Sequence, residues 1–129
     1  IKDVMKVSGQ VSRMESLAYQ MSADCLLLFV GKDKSVNTSK LFEYLYARRP
    51  ILAISASDTA AAAIIEQTGA GEVVDPDDPR AIAACLNRLF QRWQKDGLSC
   101  SVRGIECYER RELTRQLAEI LRSVVSNTA

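Results

Sequence analysis

Two short runs, "CLLLFV" at residues 25–30 and "ILAIS" at 51–55, constrain the fold of this chain more than any other feature. Neither alternates apolar with polar, so a strand built from either presents apolar side chains on both faces of its pleat. Such a strand must be covered on both sides, which is the condition of a parallel sheet between layers of helix. Helix-period stripes surround the runs, as that arrangement needs. Met14, Leu17, Ala18 and Met21 share one face of a helix over residues 13–22, and Ile82, Leu86, Leu89, Phe90 and Trp93 recur at the same period after Pro79.

Punctuation between these elements is equally regular. Residues 5–8 read as a short first strand ending at Gly9, and "GEVVD" at 71–75 reads as a fourth. A helix over 39–49 is halted by Pro50. Ser57 or Asp58 caps an alanine-rich helix whose C-terminal glycine is Gly69, and both Gly69 and Gly71 read as turn residues. Asp78 followed by Pro79 is a strong helix start, and Gly97 ends that helix. A last long helix runs from about residue 104 to 125 and carries Tyr108, Leu117, Ile120, Leu121 and Val124. The expectation is one α/β domain over 1–129, a Rossmann-like parallel sheet of about four strands with helices on both faces, and a hinge at 96–103.

Composition excludes several classes. Seventeen Lys and Arg are interspersed with sixteen Asp and Glu, which speaks against a nucleic-acid groove or a basic membrane-surface patch. The longest apolar run is far too short for a transmembrane segment, and no signal peptide is legible. There is no histidine, so Ser–His and Cys–His nucleophile systems are excluded within the chain, and the cysteine spacing supports no zinc site. Cys25 and Cys85 are expected as core thiols. Cys100 and Cys107 flank a junction where they could pair, but a reduced, cytoplasmic protein is the better expectation. The chain opens on Ile rather than Met, as a piece of a longer protein would.

In a parallel α/β sheet, ligands bind beyond the C-terminal strand ends, where loops meet helix N-termini. The longest loop at that end, "GKDKSVNT" at 31–38, leads into "SKLFEYLYARR". Its free backbone N–H groups and partial positive charge suit a phosphate. Lys40 and Glu43 sit there in an awkward order. A lysine in a first turn opposes the macrodipole, and Lys before Glu is the poorer orientation for a helical ion pair. A capping box does not account for Glu43, because its N-cap would be Lys40. Two readings stand on the residues alone: two solvated charges on an exposed face, or an anion beside Lys40 with a hydroxyl-bearing ligand near Glu43.

The stretch "TSKLFEYLYARRPILAIS" resembles the "sgKlfEYlaagkPvla" signature of the C-terminal domain of group-1, GT-B-type retaining glycosyltransferases. "VSGQVSRMESLAYQMSADCLLLFV" is similar to the family's "v.f.G.v.r.e.l..y..aDvlll", "IIEQTGAGEVVDPDDPRAIAACL" to "li.etgaG.vv.pdd.eaia..l", and "YERRELTRQLAEIL" to "y.R..lt..la.ll". The four segments are collinear and cover essentially the whole chain.

The resemblance implies a partial GT-B C-terminal domain that binds a nucleoside-diphosphate sugar donor, without a metal or other cofactor. Glu43 then matches the glutamate that accepts hydrogen bonds from the ribose hydroxyls. Ser39, Lys40 and Leu41 match the helix start whose backbone N–H groups meet the diphosphate. Gly9, Gln10 and Val11 match the loop beside the nucleobase, although Gly9 also reads simply as a turn after a strand. No catalytic residue is assigned.

Departures from the pattern accompany the match. Ser35 stands where many members carry an earlier glutamate, and Arg48 stands where they usually have glycine. The Arg/Lys pair that clamps the diphosphate, and the acceptor-binding N-terminal domain through which the enzyme would be peripheral to a membrane, are expected outside this chain. Alone, the chain is expected to be inactive, with an exposed sheet edge open to dimerisation. The rival expectations are a non-catalytic Rossmann-like binding or regulatory module and a nucleotide-sugar epimerase of the same architecture.

Overall fold

The structure, a computed structural model, describes residues 4–32 and 39–126. Three parallel strands, β1 (Leu26–Gly31), β2 (Ile51–Ser55) and β3 (Gly71–Val74), form one sheet in the order β1-β2-β3. Leu28 lies opposite Ala53 across the first ladder, and Ala53 opposite Val73 across the second. Every residue of β2 is buried, as the two-sided apolar run requires of a central strand.

Two cores follow from its alternation. On one face Leu28, Ile51 and Ala53 meet Leu41 and Leu45 of α2 (Ser39–Ala47) and Ala61 and Ile65 of α3 (Ala60–Thr68). On the other, Leu52, Ile54 and Val74 meet Cys85 and Leu89 of α4 (Pro79–Asp96). Each fully buried Leu or Ile contributes about 1.5–3 kcal/mol of transfer free energy, so these cores outweigh the local propensities of the helices.

Local chemistry sets the helix ends. Asp78 accepts from the backbone N–H groups of Arg80 and Ala81 with Pro79 behind it, as the sequence predicts. Gly69 closes α3 in the left-handed conformation. The α3 cap is Thr59, not Ser57 or Asp58. Its hydroxyl accepts from Ala62 N–H at 3.1 Å and lies 2.7 Å from Ser55 Oγ, so burial at the end of β2 selects the residue that can bond both ways. α2 stops at Ala47, short of the expected residue 49, because Arg48 turns left-handed at φ 53. Among the described residues it alone does so without being glycine.

Among the described residues the sheet has three strands, not four. Residues 5–8 form no strand, and Val4, Met5 and Val7 are exposed. An extended segment becomes a strand only when a neighbour takes its backbone hydrogen bonds, and no described strand lies beside it. The covering of β1 is one-sided for a related reason. Leu27 and Phe29 point to the face that α4 covers over β2 and β3, yet both are exposed.

The apolar helix faces are corrected likewise. α1 (Arg13–Ser22) has the expected bounds, but Met14 and Met21 are exposed and its one buried residue is Gln20. On α4, Leu86, Phe90 and Trp93 stay exposed, Phe90 and Trp93 stacking at 5.9 Å. The final helix is broken at Glu109 into a 3₁₀ turn, Ile105–Tyr108, and α5 (Arg110–Ser126). The turn packs Tyr108 on Phe42 at 5.8 Å, while no residue of α5 is buried.

The segment expected as a hinge, 96–103, is tied to the core at three points. Arg103 N–H bonds Thr68 O at 2.9 Å, the Cys100 thiol faces Ala70 O at 3.3 Å, and Val102 packs on the core. Cys100 and Cys107 are unpaired, Cys25 is half-buried and Cys85 is buried. Gly71 is not a turn residue but the first residue of β3, pressed against Ile51. No helix among the described residues is long and apolar enough to cross a membrane.

Candidate functional site

The C-terminal strand ends gather three loops. Lys32, just past β1, pairs with Asp77, past β3, so these two loops are tied across the sheet. Ser35 and most of the 31–38 loop lie outside the described residues. The Asp77 contact raises the Lys32 ammonium's pKa, first through the hydrogen bond and then through charge, keeping it cationic.

α2 starts at this end with Ser39. Lys40 Nζ donates to Glu43 Oε2 at 2.6 Å across one helical turn. From α1, Gln20 Nε2 donates to the same oxygen at 3.2 Å. Both bonds end on Oε2, and no described residue bonds Oε1. The Lys40 hydrogen bond, then that of Gln20, and the Lys40 and Arg13 charges hold the Glu43 carboxyl below the usual carboxylate range against some burial. Glu43 is therefore ionised at neutral pH, an acceptor-only group with Oε2 bonded twice and Oε1 still able to accept. The Glu43 side chain is about a third exposed.

Beside the pair lies a cavity of about 570 Å³ between α1, α2, the 3₁₀ turn and the start of α5. Ser39, Phe42 and Glu43 supply its α2 wall, Arg13 faces them from α1, and Tyr108 and Arg110 close the far side. The volume suits a small organic ligand. The arrangement combines an aromatic wall, a carboxylate acceptor and two guanidinium-bearing residues. That set can hold a polyhydroxylated anion by charge and hydrogen bonding.

The expected residues are therefore only partly gathered. Ser39, Lys40 and Glu43 stand together at the start of α2. Leu41 is fully buried in the sheet-facing core, so only its backbone can face the site. Gly9, Gln10 and Val11 are exposed in the irregular segment before Ser12, and none lines the cavity. Ser12 caps α1 by a reciprocal exchange with Glu15, which fixes where that segment ends.

Gln20, Arg13, Tyr108 and Arg110 join the site without a sequence motif that marks them as site residues. The sequence signal for Gln20 is its place four residues after Ser16 and three after Leu17, on the face beside the Met14–Leu17–Met21 stripe. Elsewhere, Glu72 on β3 takes Arg88 at 2.6 Å and the Cys85 thiol at 3.3 Å. Burial, then Glu72, pushes that thiol up to about 11, so it stays protonated and unreactive. Among the described residues no three His, Cys, Asp or Glu side chains converge as a metal cluster would.

Set against protein-family models, curated proteins and solved structures, the chain matches none. The functional reading therefore rests on the residues and on their geometry.

Proposed function

We propose that this chain is the donor-binding part of a glycosyltransferase that moves a sugar from a nucleoside-diphosphate sugar to an acceptor. The observation that carries the reading is the Lys40–Glu43 pair at the start of α2, beyond the C-terminal end of β1, with Glu43 lining the cavity and its Oε1 bonded by no described residue. The resemblance of "SKLFEYLYARRP" and its collinear neighbours to group-1 glycosyltransferases supports the same roles. Glu43 accepts from the vicinal ribose hydroxyls. The N–H groups of Ser39, Lys40 and Leu41, with the Lys40 ammonium, meet the diphosphate.

In such a reaction the nucleoside diphosphate leaves with growing negative charge. Donors aimed at that charge, in a site partly shielded from water, lower the barrier. The acceptor is bound by a domain outside this chain, and the reaction is cytoplasmic. The chain alone has no transfer activity.

Calorimetric titration of UDP-, GDP- and ADP-sugars into the full-length protein, with donor kinetics for the variant, tests the reading. One of them is expected to bind, with Glu43→Ala raising the donor KM at least ten-fold in steady-state assays, since a hydrogen bond to a charged group contributes roughly 1.5–3 kcal/mol. Binding by none would favour a non-catalytic module. Product chromatography with and without acceptor separates transfer from epimerisation.

A further inference from the structure

A buried amide is the least expected feature of the site. Gln20 is 7% exposed and is the only buried residue of α1, a helix whose methionines lie in solvent. Its Nε2 donates to Ser16 Oγ and to Glu43 Oε2, each at 3.2 Å, while its Oε1 is buried with no partner. The opposite orientation would set the amide oxygen against a carboxylate, two acceptors face to face, so the donor side must point at Glu43. An orphaned buried acceptor is a standing cost that Leu or Met at this position would avoid. Gln20 is thus suited to the Glu43 contact more than to the packing of α1.

Lys40 and Gln20 hold the same oxygen in different ways. The lysine side chain is about half exposed, flexible, and set at the positive end of α2, where an arriving anion draws it off Glu43. The amide is enclosed and does not move with it. Resting on the donor-binding reading of Glu43, we propose that Gln20 is its positioning residue: the amide holds the Oε2 corner of the carboxylate while Lys40 turns to the donor diphosphate, which keeps Oε1 presented to the ribose hydroxyls.

Carboxyl-13C titration of the chain labelled at glutamate, together with donor titration of the full-length protein, tests this. In Gln20→Met the Glu43 midpoint is expected to rise and donor affinity to fall about ten-fold or more, as for losing a hydrogen bond to a charged group. In Gln20→Glu two carboxyl groups face each other and share a proton. Their titration splits, and donor binding returns at low pH and is lost as pH rises through the upper step. A merely structural role would weaken binding equally at every pH.

An unmoved Glu43 midpoint in Gln20→Met overturns the proposal. Should that variant fail to fold by far-UV circular dichroism, the pH profile of Gln20→Glu decides, and a flat profile overturns it. If the wild-type protein binds none of the three nucleotide sugars, the donor reading falls and takes the ribose role with it. A raised Glu43 midpoint would then still uphold Gln20 as the holder of that carboxylate.

Discussion

Replacing Gly71 by alanine tests the pairing of β2 with β3 more directly than any core truncation. A Cβ built on Gly71 would lie 1.8 Å from the carbonyl oxygen of Ile51, 2.6 Å from its carbonyl carbon and 2.7 Å from its nitrogen. Ordinary contact begins near 3.4 Å, so 3.4 − 1.8 = 1.6 Å of separation has to be found. The obstacle is backbone in the central strand, which no rotamer change relieves. β3 must move, and the bond from Ile51 N–H to Ala70 O at 2.9 Å goes with it.

Overpacking costs about 1–3 kcal/mol even where side chains can yield, so ~3 kcal/mol or more is expected here. For a chain of this length that is a fall in Tm of roughly 10 °C. Gly69→Ala is the control. Its added Cβ meets only Ser101 O at 3.7 Å, leaving the left-handed φ of 65° as its penalty, about 1 kcal/mol and roughly 3–4 °C. Thermal unfolding followed by circular dichroism reads both. If the two variants melt together, the close approach of Gly71 to Ile51 is wrong and both glycines are turn residues after all.

Arg48→Gly should stabilise the chain by up to ~1 kcal/mol, a Tm rise of a few degrees, because Arg48 holds φ 53 where glycine is unstrained; a fall in Tm would show that the guanidinium or its stem stabilises more than the strain costs. Acid lability should begin below about pH 4.5. The Glu43 carboxyl is lowered from its ordinary value, and that of Glu112 is lowered to about 2 by Arg115 and then Gln116. Carboxyls depressed on folding contribute stability that is full above their unfolded pKa and lost as pH falls through the folded one. Lys40→Met removes the first cause of the Glu43 depression, so its midpoint should rise and the acid limb of a stability–pH curve should flatten; an unchanged curve would refute the pair.

How much was legible depended on whether an element's partners lie within the described chain. "ILAIS" was read correctly because β2 is central, with neighbours on both edges and helices on both faces. "CLLLFV" carries the same pattern, but among the described residues β1 ends the sheet, and its Leu27 and Phe29 stay exposed. Residues 5–8 have strand composition without a strand to pair with. The α5 stripe of Leu117, Ile120, Leu121 and Val124 is amphipathic as read, yet each of the four is more than half exposed.

Signals confined to one turn fared better. Asp78–Pro79 and Gly97 act within a few residues of where they stand. Thr59 was missed because its selection depends on Ser55, a contact of tertiary origin. Arg48 is instructive in the other direction. The departure from glycine noted in the sequence falls on the position where the chain turns left-handed.

The order of Lys40 and Glu43 looked costly on helix propensity, and the structure shows what offsets the cost. One turn brings the two charges to 2.6 Å, which neutralises the lysine at the positive end of α2. An exposed ion pair of this kind contributes about 0–1 kcal/mol and by itself asks for no ligand. What separates a site from a solvated pair therefore comes from outside α2. A buried amide on another helix gives both of its donors to Ser16 and Glu43 and leaves its own acceptor unmet. Surface charge pairs need no such support. On the proposed donor-binding reading, a carboxylate that keeps one oxygen presented while its lysine changes partner does need it, and the Gln20–Glu43 contact then complements the Lys40–Glu43 pair.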